Sequence, residues 1–80
     1  MNTYIFKVEL TKEDDGRWSA VVPTLPGCNA WADSEEMVLR TIQETAKAYL
    51  ETLIEDGQPI PIEEKEIKIP FPSPAVAVSL

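Results

Sequence analysis

One long amphipathic helix, predicted over residues 34–56, constrains the fold more than any other feature of this 80-residue sequence. Its apolar positions recur at spacings of three and four over about six turns. They are Val38, Ile42, Ala46, Tyr49 or Leu50, and Leu53. Gly57 stands where a left-handed residue ends a helix, and Pro59 and Pro61 prevent continuation. A helix of this length with one apolar stripe suits the covering of a small sheet, so we predict a single α+β domain.

The start of this helix is marked by polar residues. Asp33 or Ser34 can cap it, because a side-chain oxygen at this position accepts a hydrogen bond from an unpaired backbone N–H. Glu36 lies three residues after Asp33, the spacing of a capping box. Glu35 and Glu36 also suit the positive end of the helix dipole.

Short strands are predicted before the helix. Residues 3–10 (TYIFKVEL) alternate apolar and other side chains with period two, which favours a strand with one buried face. Asp15-Gly16 is a strong turn signal, and an extended pattern resumes at residues 17–22, so the two segments form a predicted hairpin. A third short strand is predicted over residues 29–32.

After the helix, residues 64–69 (EKEIKI) alternate again and indicate a fourth strand, an edge strand in view of its charges. We expect one domain over residues 1–69 and a Pro-rich arm or last strand over residues 70–80. Three apolar residues of this tail are expected to pack on a neighbouring subunit or on the sheet edge: Val76, Val78 and Leu80.

The charge balance is typical of a small soluble protein and predicts that a partner, if there is one, is basic. The chain has 7 Lys and Arg against 14 Asp and Glu, and its basic residues are scattered, which argues against direct binding of nucleic acid. An acidic surface also serves solubility alone. No apolar run is long enough to span a membrane, no signal peptide is visible, and a single cysteine cannot form an internal disulfide. We therefore expect a cytoplasmic protein that does not bind membranes.

The residue types disfavour catalysis. The sequence has no histidine, so Cys28 lacks the usual activating base and a four-ligand zinc site cannot be assembled. We predict that Cys28 is a small buried hydrophobe. Acidic pairs occur at residues 14–15, 35–36 and 63–64 and leave a metal-dependent hydrolase as a third option, although their predicted turn, helix-start and loop positions do not suit it. We expect no cofactor.

The segment of residues 21–32 combines a shaped loop with a tryptophan. Proline fixes φ and Gly27 permits a tight reversal, so the loop is predicted to be scaffold. Its scaffold residues are Pro23, Leu25, Pro26, Gly27 and Cys28. Trp31 follows in the third strand, where it is either a core residue or a binding residue, whereas core packing is favoured for Trp18.

The order of these features resembles the HicB-type antitoxins. In that family an extended strand ends in Pro-x-Leu-Pro-Gly-Cys, and a short strand, an acidic helix start, a long helix and a closing Gly-x-x-Ile-Pro follow. The matching residues, within a resemblance that covers about residues 4–69, are Pro23, Leu25, Pro26, Gly27, Cys28, Glu35, Glu36, Ala46, Leu50, Leu53, Gly57, Ile60 and Pro61.

The resemblance implies a partial RNase H-like fold of order β-β-β-α-β that lacks the ribonuclease carboxylates. It also implies a partner, a small basic HicA-type toxin that cuts messenger RNA and whose active site the antitoxin blocks. Two departures qualify it. Residues 31–33 (WAD) replace the glycine and acidic residue common before the helix, and the sequence shows no DNA-binding domain, so operator binding is not expected.

The resulting hypothesis is an antitoxin-like binding module without enzymatic activity that blocks a basic toxin and forms a homo-oligomer such as a homodimer. The candidate contact residues are Trp31, Asp33, Glu35, Glu36, Glu13, Asp14 and Asp15. The alternative is a stand-alone structural or regulatory homo-oligomer of the same fold with no toxin partner.

Overall fold

Five strands and one helix make up the part of the chain that the computed structural model describes, residues 3–61 and 74–80. The elements follow one another as β1 (Thr3–Lys7), β2 (Glu9–Lys12), β3 (Trp18–Val21), β4 (Asn29–Ala32), α1 (Glu35–Glu55) and β5 (Ala75–Ser79). The predicted α+β class, with antiparallel strands and one long helix, is confirmed.

The strands form two small antiparallel sheets. β2, β3 and β4 are neighbours in that order, and β1 pairs with β5. Ser19 lies opposite both Thr11 and Trp31. The predicted hairpin is therefore the β2–β3 pair, and the predicted third strand occupies its expected residues.

The first predicted strand is divided, which corrects the expectation of one strand over residues 3–10. The alternation itself is confirmed because Phe6 and Val8 are buried. However, the Val8 N–H donates a hydrogen bond to the Pro74 carbonyl at 3.0 Å, which extends the pairing with β5. From Glu9 onward the chain pairs with β3 instead. Period-two alternation continues through such a change of partner and cannot reveal it.

The helix begins where the sequence predicts. Of the two candidate caps, Ser34 is the one used, since its hydroxyl accepts a hydrogen bond from the Met37 N–H at 3.1 Å. The capping box between Asp33 and Glu36 is therefore wrong, because Met37 occupies the third helical position. Glu35 and Glu36 lie in the first turn, as expected.

The helix ends with a Schellman arrangement of hydrogen bonds. The Gly57 N–H donates to the Ile54 carbonyl at 3.1 Å, and the Gln58 N–H donates to the Leu53 carbonyl at 2.9 Å. Gly57 has a φ of +69°, which confirms the predicted left-handed position.

The core lies between the helix and the sheets. α1 packs against β3, β4 and β5. The buried apolar side chains are Phe6, Val8, Ala20, Val22, Leu25, Cys28, Ala30, Val38, Ile42, Ala46, Leu50, Val76 and Val78. Four of the predicted stripe residues are thus buried, and Tyr49 and Leu53 pack at its margin.

The C-terminal residues 75–79 form β5 on the edge of β1, with Val76 and Val78 buried. This is the sheet-edge alternative of the two considered for the tail. The strand predicted over residues 64–69 lies outside the described residues. No helix among the described residues is long and apolar enough to cross a membrane.

Candidate partner-binding surface

The turn between β2 and β3, residues 13–17, concentrates charge at one end of the hairpin. The Gly16 N–H donates to the Glu13 carbonyl at 3.0 Å, and the Glu13 N–H donates to the Arg17 carbonyl at 2.7 Å. Gly16 has a φ of +90°, the left-handed glycine expected at the end of such a hairpin loop. We call these residues the acidic turn.

Asp15 and Arg17 form an ion pair within the acidic turn. The Asp15 carboxylate accepts hydrogen bonds from the Arg17 backbone N–H at 3.0 Å and from its Nε–H at 2.8 Å. These two bonds, in this order of importance, hold the pKa of Asp15 below its ordinary value. Asp15 is therefore ionised at neutral pH, with its charge offset by Arg17.

Glu13 is oriented by the neighbouring strand. The Ser19 hydroxyl donates a hydrogen bond to Glu13 Oε1 at 2.9 Å. Because Ser19 pairs directly with Trp31 across β3 and β4, the Glu13 carboxylate is tied to the strand position opposite the tryptophan.

Trp31 points away from the core. Its residue exposure is 55%, whereas Trp18 is half-buried and packs against the core cluster. The difference follows from strand alternation, since Trp18 shares a row with Ala32 and Trp31 shares a row with Ser19. We call the face that bears Trp31 the outer sheet face; its residues are Glu9, Thr11, Ser19, Val21, Asn29 and Trp31.

Trp31 and the acidic turn line one open cleft of about 660 Å³. Its lining residues are Glu13, Asp14, Asp15, Arg17 and Trp31. Four of the seven predicted contact residues thus meet at one place, although no single segment of the sequence contains them.

The other three predicted contacts lie at the helix start and do not line this cleft. Asp33, Glu35 and Glu36 are all exposed. Glu36 lines a separate shallow groove, where its carboxylate is 3.7 Å from the Arg40 guanidinium. The predicted contact set therefore divides into two surfaces.

Residues 23–28 form a loop that is anchored in the core, and we call it the anchored loop. The Leu25 N–H donates to the Val22 carbonyl at 3.0 Å, and the Cys28 N–H donates to the Leu25 carbonyl at 2.9 Å. Pro26 followed by Gly27 with a φ of +83° makes the second of these a type II turn. Leu25 and Cys28 are buried, whereas Pro23, Pro26 and Gly27 are exposed.

Burial raises the pKa of the Cys28 thiol, so the thiol is protonated at neutral pH. A thiol of this kind is a poor nucleophile. Within residues 3–61 and 74–80, no three Cys, Asp or Glu side chains form a group that could hold a metal ion.

Sequence reasoning missed Arg17 and Ser19 as members of this surface. Both are fixed by the hairpin register, because the left-handed Gly16 sets which residues of β2 and β3 face each other. Deriving the register of the hairpin from the Asp-Gly turn would have placed Ser19 on this surface. It would not have found Trp31 opposite Ser19, since β4 follows the anchored loop.

The fold and this surface define a small α+β domain in which one helix covers antiparallel strands and an acidic aromatic cleft faces outward. Residues 4–76 match the family model described as the HicB-like antitoxin of bacterial toxin-antitoxin systems. The chain belongs to this family, which confirms the resemblance read from the anchored loop and the helix.

The curated relatives carry only the designation UPF0150. A Synechocystis protein is 38% identical over 65 residues, covering 81% of this chain and 82% of its own length. An Archaeoglobus fulgidus protein is 34% identical over 65 residues, covering 79% of this chain and 94% of its own.

Solved structures share the fold at low sequence identity. The N-terminal domain of the Burkholderia pseudomallei antitoxin HicB superposes with a TM-score of 0.72 at 22% identity, covering 95% of this chain and 96% of that domain. The longer B. pseudomallei HicB chain matches over all of this chain and 64% of its own length, with a TM-score of 0.68 at 21% identity. A chain of the HicA3 and HicB3 toxin-antitoxin complex gives 0.63 at 19% identity, covering 94% of this chain and 95% of that one.

Proposed function

We propose that this chain acts as an antitoxin that binds a small basic toxin and blocks its messenger-RNA-cleaving site, without catalysing a reaction itself. Membership of the HicB-like antitoxin family supports the general role. A structural neighbour from a complex of HicA3 with HicB3 supports a protein partner as the target.

The observation that carries the proposal is the cleft shared by Trp31 and the acidic turn. An exposed tryptophan offers a large apolar contact area at small entropic cost, and tryptophan is enriched at binding hot spots. Carboxylates around such an anchor favour a partner of opposite charge and disfavour others. The combination suits recognition of a basic protein.

The net charge of −7 adds a long-range contribution. An acidic protein attracts a basic partner before contact, and this attraction raises the association rate. Salt at about 0.1 M screens the attraction between charges that are more than about 10 Å apart. The exposed acids at the helix start contribute to this field. Replacing Glu35 and Glu36 by Lys is therefore expected to slow association and to flatten its salt dependence.

The test begins with the full chain as bait at low salt in the native host, followed by identification of captured small basic proteins. Each captured protein is then purified, assayed for cleavage of messenger RNA, and titrated with the chain. We expect complete inhibition at one chain per toxin. A captured ribonuclease that the chain leaves fully active would overturn the proposal, as would a chain that captures no basic protein.

A homo-oligomer is the second candidate, favoured by apolar side chains on exposed strand positions. Ile5 and Val21 are 52% and 41% exposed, in addition to Trp31. Such a self-association would proceed without a toxin. Sedimentation of the purified chain tests for self-association, and a chain that runs only as a monomer removes the second candidate. Dimers or larger species together with capture of no basic protein would favour the second candidate over the antitoxin.

A further inference from the structure

We propose that the outer sheet face receives an arginine side chain of the partner, stacked on the Trp31 indole and paired with the carboxylates of Glu13 and Asp14. This inference rests on the proposed function, since it concerns the same surface, but it names one residue type and one place. It also assigns the helix-start acids no direct contact with that arginine.

The outer sheet face is the face of the sheet that the helix does not cover. The helix packs on the opposite face of the sheet, where Ala20 and Ala30 are buried. Thr11 and Ser19, the neighbours of Trp31 along its row, have small polar side chains, and Trp31 is 55% exposed. A tryptophan that is exposed in this way and lines a cleft is accessible to a ligand.

The charges around the ring leave two carboxylates available. The cleft contains three carboxylates and one guanidinium. Asp15 and Arg17 offset each other through their ion pair. Glu13 uses Oε1 to accept the Ser19 hydrogen bond and retains its second oxygen. The Asp14 side chain has no hydrogen bond or ion pair to any residue in 3–61 or 74–80.

Arginine fits this arrangement better than lysine. A guanidinium is planar, stacks on aromatic rings and donates hydrogen bonds in a fork that matches carboxylates, whereas an ammonium is a compact and strongly hydrated charge. Trp is the aromatic side chain that binds a cation best through its ring face. The acidic turn already holds one guanidinium, that of Arg17, against a carboxylate by the same chemistry.

The probe is a short peptide whose single charge is one arginine, titrated into the full chain labelled with ¹⁵N. The control peptides replace the arginine by citrulline, which keeps the planar group without the charge, or by lysine. The two indole N–H signals report separately on Trp31 and on Trp18, which faces the core. We expect the arginine peptide to shift the Trp31 signal in a saturable way at millimolar concentration. The lysine peptide should shift this signal more weakly, and the citrulline peptide should leave it in place. The Trp18 signal should not shift with any of the three peptides.

Variants locate the contact. Trp31→Leu keeps apolar area without the ring face, and Asp14→Asn keeps size without the charge. Each should weaken binding of the arginine peptide about three- to fivefold, the size of a cation–π or ion-pair contact at an exposed site. Backbone amide shifts provide the readout for Trp31→Leu. Trp31→Phe should retain most of the affinity, and Glu51→Gln on the exposed helix surface should change nothing.

The outcomes separate this inference from the proposed function. An unmoved Trp31 signal, or equal shifts with citrulline, overturns the arginine site. A toxin that is bound and inhibited equally by the wild type and by Trp31→Leu also overturns it, while the antitoxin role stands. An arginine-specific shift in a chain that inhibits no toxin keeps the site and removes the antitoxin role.

Discussion

The anchored loop and the acidic turn are both short connections closed by backbone hydrogen bonds and shaped by a left-handed glycine, yet they face opposite environments. The loop places Leu25 and Cys28 in the core, with exposures of 0% and 1%. The turn directs charged side chains into a solvent cleft. The difference leads us to expect that the loop contributes to stability and that the turn contributes to binding of a partner. Substitutions of the buried side chains in the loop should change the free energy of unfolding, and substitutions of the charged side chains in the turn should change binding.

The largest loss of stability is expected from a substitution of a buried residue in the anchored loop. Leu25→Ala removes a fully buried side chain and leaves a cavity, so it should lower the free energy of unfolding by about 3 kcal/mol in urea denaturation. Ile54→Ala serves as the control because Ile54 is 53% exposed. Equal losses in the two variants would contradict the anchoring role of the loop.

A change of polarity at Cys28 should have the next largest effect. Cys28→Ser places a hydroxyl in an apolar site and should destabilise the fold by about 2 kcal/mol. Cys28→Ala, which leaves only a small void, should cost about 1 kcal/mol by the same denaturation measurement. A serine variant as stable as the alanine variant would show that the site can satisfy a hydroxyl.

The two glycines should behave alike although their surroundings differ. Gly27 and Gly16 have φ angles of +83° and +90°, and a Cβ at either would meet no atom within 4 Å. Replacing either by Ala should therefore cost about 1 kcal/mol through backbone strain alone. Thermal unfolding measures the loss of stability in each variant. A much larger loss for Gly27→Ala than for Gly16→Ala would mean that the backbone of the anchored loop cannot adjust to a Cβ as the backbone of the acidic turn can.

A charge reversal in the exposed acidic turn should change binding with little change in stability. Asp14→Lys should alter the free energy of unfolding by less than about 0.5 kcal/mol. It should nevertheless slow association with a basic partner and reduce its salt dependence. Glu51→Lys makes the same charge change on the helix surface, and stopped-flow kinetics should show a smaller effect. Identical rates for the two variants would mean that only net charge matters.

The smallest effect concerns pH. Because the pKa of Asp15 is lowered in the fold, the stabilisation from its pairing with Arg17 is present at neutral pH and is lost as the pH falls through that lowered value. Arg17→Gln should raise the pKa of Asp15 towards its ordinary value, as followed by carboxyl ¹³C shifts. Arg40→Gln is the control. An unchanged Asp15 titration in Arg17→Gln would show that the Arg17 side chain does not contribute to the lowered pKa of Asp15.

Local patterns predicted the helix and β4 well, because each rests on signals that lie within the element itself. The stripe from Val38 to Leu50, the cap region and Gly57 act over a few residues, so tertiary contacts only reinforce them. The choice of Ser34 over Asp33 as the cap was open because both side chains offer the same acceptor.

Non-local pairing accounts for what the sequence did not reveal. The division of the first strand at Val8 depends on β5, which lies at the other end of the sequence. The meeting of Trp31 with the acidic turn depends on the register of β3 with β4. The candidate residues themselves were identified from their chemistry, but only the pairing shows which of them share a surface.

The pairing of β1 with β5 also has a consequence for the order of folding. Thr3 and Ser79 face each other across this ladder although they are 76 positions apart in the sequence. Closing so long a loop costs conformational entropy before any contact offsets it, and contacts of this kind form slowly. The hairpin, β4 and the helix are connected locally and can assemble first. We therefore expect the central elements to lead, with the joining of β5 to β1 as the last step of folding.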